Sequence, residues 1–128
     1  MSTTGKEDRA SILVVDDDRA VATVLAALLT QAGYEARAVT SGAEALAALA
    51  SRPVDVVISD VRMPGMDGME LLTEVKKRLA GVPVILLTAH GSVPLAVEAM
   101  RAGAADFLLK PFDRDEVLYA VEKAVRST

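Results

Sequence analysis

Five times along the chain a short apolar run stops at a polar residue and gives way to a stretch with helical apolar spacing. Residues 12–15 are apolar, rich in β-branched side chains, and end at Asp16-Asp17-Asp18, which predicts a buried strand. Val21, Val24, Leu25, Leu28 and Leu29 then follow at helical spacing, and Gly33 predicts the stop. Residues 34–39 alternate polar and apolar, as a half-covered edge strand does, and Ser41 with Glu44 predicts a capping box on a helix running to about residue 51. Residues 54–59 read as the third strand, ended by Asp60, followed by the loop Met63-Pro64-Gly65-Met66. Asp67 with Glu70 has capping-box spacing, and Leu72, Val75 and Leu79 mark the inner face of the third helix. Residues 84–87 form a strand ended by Thr88, and Ser92 caps a helix that ends near Gly103, with Pro94 in its tolerant first turn. The last strand, residues 107–109, ends at Lys110-Pro111, and Asp113 with Glu116 predicts the cap of a final helix carrying Val117, Val121 and Val125.

This order is (βα) five times, which implies an α/β fold with a five-stranded parallel sheet covered on both faces. Crossovers in such sheets are right-handed, and their sites lie beyond the carboxyl ends of the strands. No linker or fixed-period repeat divides the 128 residues, so the expectation is one domain over residues 11–128 behind a flexible polar lead-in, residues 1–10. The lead-in lacks the apolar core of a secretory signal, and the longest mostly apolar run, residues 20–29, is half a bilayer span. A cytoplasmic protein without membrane contact is expected. The formal net charge of −4 argues against a general nucleic-acid binder, whose phosphate contacts need a positive field. Absence of Cys excludes disulfides, thiol nucleophiles and Cys-based metal sites, and the single His excludes a His-rich zinc site.

The residues at the strand ends carry the chemistry. Asp16, Asp17 and Asp18 follow the first strand, Asp60 the third, Thr88 the fourth and Lys110 the fifth. Carboxylates that converge must bind a cation or hold protons. With oxygen ligands alone the cation is a hard one, Mg²⁺ or Mn²⁺. Carboxylates, a divalent metal, a lysine and a hydroxyl together suit phosphoryl transfer. Asp60, alone at the end of a central strand, is the best-placed nucleophile. Asp18 and Asp67 read first as helix caps, and Gly65 and Gly68 as backbone permissions for a tight loop.

The segments Ile12-Leu13-Val14-Val15-Asp16-Asp17-Asp18, Ile58-Ser59-Asp60-Val61-Arg62-Met63-Pro64-Gly65-Met66-Asp67-Gly68, Leu87-Thr88-Ala89-His90 and Lys110-Pro111-Phe112 resemble the receiver domain of two-component response regulators. The Asp60 and Thr88 segments are most similar to receivers of the NtrC type. The resemblance runs from about residue 11 to residue 126. It implies a CheY-like doubly wound sandwich with strand order 2-1-3-4-5. It also implies that Asp60 accepts a phosphoryl group from the phosphohistidine of a sensor histidine kinase. Asp17 would ligate Mg²⁺ directly, Asp16 through water, and Arg62 by its main-chain carbonyl. Thr88 and Lys110 would bind the phosphoryl oxygens, and Phe107 would be the aromatic switch that turns inward as Thr88 moves. Arg62 and His90 fall where phosphate lifetime is tuned, and the Lys110–Pro111 bond would be cis. The fourth helix, fifth strand and fifth helix, residues 92–126, would form a homodimer or output face, with Glu98, Arg101, Asp106 and Arg114 as candidate contacts. The output would be a further domain or partner in transcription control. Nothing beyond the sheet elements resembles a DNA-reading helix, so the chain reads as an excised receiver or a single-domain regulator.

Three other readings of these residues compete with this one. A flavodoxin-like protein would hold a phosphate after the first strand, where three Asp residues repel it, and two Phe, two Tyr and no Trp leave little to stack a flavin. An aspartate phosphatase needs a general acid two residues after its nucleophile, a position held here by Arg62. A receiver-shaped module that binds partners without phosphorylation is the alternative that the acidic pair, Thr88 and Lys110 argue against.

Overall fold

A computed structural model describes residues 9–127; all but Arg9 and Ala10 of the expected lead-in lies outside the described residues. The elements alternate in chain order: β1 (Ser11–Val15), α1 (Arg19–Gln31), β2 (Glu35–Val39), α2 (Gly42–Ser51), β3 (Val56–Asp60), α3 (Gly68–Arg78), β4 (Val84–Thr88), α4 (Val93–Arg101), β5 (Asp106–Leu109) and α5 (Arg114–Arg126). All strand pairs are parallel, in the order β2-β1-β3-β4-β5. The predicted α/β class and topology hold.

The sheet separates two apolar layers. On one side Ala22, Leu25 and Leu29 of α1 and Val117, Ala120, Val121 and Ala124 of α5 pack on Ile12, Val14, Ile58, Ile85 and Leu87. On the other, α2, α3 and α4 press Ala45, Leu49, Leu71, Leu72, Val75 and Ala99 onto Leu13, Val15, Val57 and Leu86. Strands β3 and β4 are buried throughout, which explains their unbroken apolar runs. Truncating a side chain such as Leu25 to Ala would cost about 2–5 kcal/mol through lost transfer energy and the cavity left behind.

Some local expectations hold and others need correction. Asp60 and Thr88 do not follow their strands but close them, because Asp60 still pairs with Leu87 and Thr88 with Leu109. The third strand begins at Val56, not at Val54. Asp18 caps α1, and Asp67 with Glu70 forms a complete capping box on α3. The box predicted on α2 is half made: Ser41 accepts from the Glu44 N–H, but Glu44 reaches back to the N–H and hydroxyl of Thr40. Asp113 stands at the start of α5 without a side-chain cap hydrogen bond. Leu79 lies past the last turn of α3 and is exposed; Val24 is exposed too, on the flank of the α1 face formed by Ala22, Leu25 and Leu29. Gly33 and Gly65 do adopt positive φ, but Gly68 does not.

Candidate functional site

The carboxyl edge of the sheet brings together Asp16, Asp17, Asp60, Thr88 and Lys110, all singled out in the sequence. Asp16 leaves β1 buried, and the turn into α1 orients it: Asp16 Oδ1 accepts the Asp18 N–H at 2.9 Å while Asp18 caps the helix. Its other oxygen, Oδ2, lies 2.8 Å from Lys110 Nζ, and the same ammonium lies 3.5 Å from Asp60 Oδ2. Lys110 is delivered by the end of β5, where its N–H donates to the Thr88 carbonyl at 2.9 Å and its bond to Pro111 is cis, as the resemblance implied.

The charges do not balance. Three carboxylates, those of Asp16, Asp17 and Asp60, meet within 4.8 Å, one ligand oxygen each, and one ammonium faces them. Burial pushes the Asp60 carboxyl above its usual range and the negative charge of Asp16 adds to this, against the pull of Lys110 and of the Arg62 backbone N–H. Burial alone would drive the Lys110 ammonium down. The hydrogen bond to Asp16 and the charges of Asp60 and Asp16 outweigh it and hold the lysine above its usual value, so it stays protonated. The donors are all hard oxygens, and exposed Asp17 leaves one side open to water. That set suits a hydrated divalent cation of the Mg²⁺ type.

Thr88 is fully buried, and its Oγ1 accepts the His90 N–H at 3.1 Å. His90 and Arg62 are themselves exposed, at the rim of the site. Phe107 is half-buried against the layer under α4, in register with Leu86. Its ring lies against Gly91, where an added Cβ would come within 3.3 Å of Phe107 Cε2 and overlap Leu109 Cδ2. Sequence reasoning missed Gly91, and it took Gly68 for a conformational need when the real constraint there is space. A glycine letter carries neither message, since the neighbour that fills the space is distant in sequence.

The sequence profile of the Response regulator receiver domain family matches residues 12–122. The chain belongs to this family. It is 48% identical over 117 residues to the DNA-binding transcriptional regulator NtrC of Escherichia coli (strain K12), covering 91% of this chain and 25% of that protein. It is 45% identical over 115 residues to the transcriptional regulatory protein FixJ of Bradyrhizobium diazoefficiens, covering 90% of this chain and 56% of FixJ. The receiver domain of NtrX from Brucella abortus superposes with a TM-score of 0.87 at 37% identity, over 91% of this chain and 99% of that one. The receiver thus spans about a quarter of the length of NtrC and about half of FixJ. Its acidic group, Asp16, Asp17 and Asp60, is of the kind at which receivers bind Mg²⁺. Among the described residues no helix is long and apolar enough to cross a membrane.

Proposed function

We propose that this receiver is a phosphorylation-activated switch in two-component signalling, with Asp60 as phosphoacceptor. The observation that carries the reading is the shared lysine: two buried carboxylates, Asp16 and Asp60, converge on one ammonium and remain under-neutralised. A site built for stability alone would not bury that excess.

In the proposed reaction an Asp60 carboxylate oxygen attacks the phosphorus of a kinase phosphohistidine. The P–O bond forms as the P–N bond breaks, and the imidazole nitrogen keeps the electron pair. Asp17, Asp60 and the Arg62 main-chain carbonyl would hold Mg²⁺ or Mn²⁺, with Asp16 acting through water, and the cation supplies charge neutralisation for the phosphoryl oxygens. Lys110 moves from its two carboxylates toward a phosphoryl oxygen. The Thr88 hydroxyl donates to another, giving up the bond it now accepts from His90. Because Thr88 lies beside β5, its movement opens room toward which the Phe107 ring turns. Arg62 and His90, both exposed at the rim, are the residues by which the domain would tune its own dephosphorylation.

The altered face is α4, β5 and α5. Val93, Val97 and Met100 on α4 and Leu109 on β5 are exposed apolar side chains that a second copy or an output domain would cover. Glu98, Arg101 and Arg114 are exposed around them, and Asp106 is half-buried beside Lys123. Kinship with NtrC and FixJ supports transcription control in the cytoplasm as the setting, with DNA contact left to another domain. The test is intact mass after incubation with acetyl phosphate and Mg²⁺. Wild type should gain one phosphoryl group, and Asp60→Asn or magnesium-depleted protein none. If neither acetyl phosphate nor beryllofluoride engages wild type, the domain is a partner-binding module that has kept a receiver's shape.

A further inference from the structure

Gly68 is the first residue of α3 and is buried against the strand that carries Asp60. Its backbone would suit any residue, since its φ is not positive. A Cβ there would overlap the Asp60 carbonyl oxygen and lie 2.8 Å from Val61 Cα and 3.0 Å from the Asp60 carbonyl carbon. All three are backbone atoms, and neither side of the contact can easily step back. Behind it, Asp60 pairs with Leu87 and the Val61 N–H donates to the Leu87 carbonyl at 3.2 Å. In front, the Gly68 N–H donates to the Val61 carbonyl at 2.8 Å. The reciprocal Asp67 and Glu70 bonds, 2.9 and 3.0 Å, lock the start of α3 in place.

Gly42 provides an internal comparison. It too is the first residue of a helix and is buried, but a Cβ there would meet only the Met66 side chain, at 2.9–3.0 Å. A methionine can rotate away, whereas a clamped peptide cannot.

We propose that Gly68 is a positioning residue for the acceptor site: its missing side chain seats the N-terminus of α3 directly on the Asp60–Val61 peptide, and that contact sets the turn that aims the Asp60 carboxylate and the Arg62 carbonyl at the cation. The inference rests on the metal site of the proposed function, and Mg²⁺ is the cation most sensitive to such placement, because it demands near-ideal octahedral geometry. A Cβ at position 68 displaces two of its protein ligands together.

The experiment compares Gly68→Ala with Gly42→Ala and wild type. Mg²⁺ affinity is measured by calorimetric titration, thermal stability by circular dichroism, and the amide shifts of Asp60, Val61 and Arg62 by NMR without metal. Gly68→Ala should remain folded, shift those three amides and bind Mg²⁺ roughly tenfold or more weakly, as changes behind metal ligands do. Gly42→Ala should leave both readouts at wild-type values. Unchanged Mg²⁺ affinity and amide shifts in Gly68→Ala would overturn the inference, and so would equal losses in both variants. If Gly68→Ala does not fold, wild type decides. The Gly68 amide should move with Mg²⁺ along the same binding curve as Arg62 while the Gly42 amide stays still, and a silent Gly68 amide refutes the proposal. Neither readout needs phosphorylation, so a failed phosphoryl test and a failed Gly68 test remain distinct.

Discussion

The carboxyl edge of the sheet and the outer face of α4 are opposite inversions of the usual partition between core and surface. At the edge, Asp60 is a charged group only 7% exposed; on α4, Val93 is an apolar one 77% exposed. The first arrangement costs desolvation energy, and the second leaves apolar area in water. The edge has one ammonium for three carboxylates and the helix has no apolar cover, so each region would gain from a different kind of partner, a cation for the first and an apolar surface for the second. The two regions touch. Thr88 of the acidic edge is in register with Leu109, whose apolar side chain belongs to the exposed face, and Gly91 lets the segment between them lie on Phe107. The contrast teaches that the polar and apolar anomalies are joined by a single strand pair, so a change at Thr88 has a short structural path to Leu109.

If buried charge is the dominant strain at the edge, Lys110→Met should be the most damaging change. It strips the ammonium from Asp16 and Asp60, and breaking a buried pair from one side costs about 3–5 kcal/mol. Urea unfolding with chelator should show that loss, and added Mg²⁺ should recover part of it. Undiminished stability would mean that the edge is wetter than its burial suggests.

Asp60→Asn should act in the other direction and raise the melting midpoint by a few degrees at neutral pH. The sign follows from linkage. The folded carboxyl titrates above its ordinary value of 3.8, so its charged form costs stability above the folded value. That cost fades as pH falls between the two values and is gone below the lower one. The variant's advantage should therefore shrink on acidification, and a gain that persisted in acid would point to packing instead of charge.

On α4 the same logic predicts little change in the monomer. Val93→Ser with Val97→Ser should alter unfolding free energy by no more than about 0.5 kcal/mol each, as exposed sites do. If the beryllofluoride-treated wild type associates through α4, as proposed, the pair should nonetheless abolish that association in sedimentation experiments. Intact association would remove α4 from the interface and leave the edge as the one unusual region.

Glu44→Gln should have the smallest effect and calibrates ordinary surface charge against the buried kind. Hydrogen bonds from the Thr40 backbone and hydroxyl hold this exposed carboxyl below its usual range. Its contribution is present above the unfolded value and is lost as pH falls through the folded one. Melting curves at neutral pH should separate the variant slightly from wild type, and curves in strong acid should coincide.

Most of the fold was legible because alternation, caps and strand-end residues are local signals. Asp18, Ser92 and the Asp67–Glu70 box could be read from a few neighbouring letters, and so could the set Asp16, Asp60, Thr88 and Lys110 once parallel topology was inferred. The errors lie where neighbours in space decide. Val24 lies one residue's rotation, about 100°, from Leu25, so it falls on the flank of the buried face and faces water. Glu44 accepts from the N–H and hydroxyl of Thr40, one residue before Ser41. Asp60 and Thr88 look like residues beyond their strands because they are polar, yet the ladder continues through their backbones. Gly68 reads as a backbone permission and Gly91 carries no signal in the sequence, although each is fixed by what presses against it.

That continued ladder has a consequence for how the molecule breathes. The backbone of Asp60 belongs to the central cooperative unit, tied to β4 by the Val61 N–H and the strand register. Its amide hydrogens should exchange with solvent only when the whole sheet opens, whereas residues 89–92, which carry no strand pairing, should exchange through small local openings. If Asp60 is phosphorylated, the rearrangement is therefore expected in the segment between β4 and α4, where local opening is cheap, and not in the strand itself.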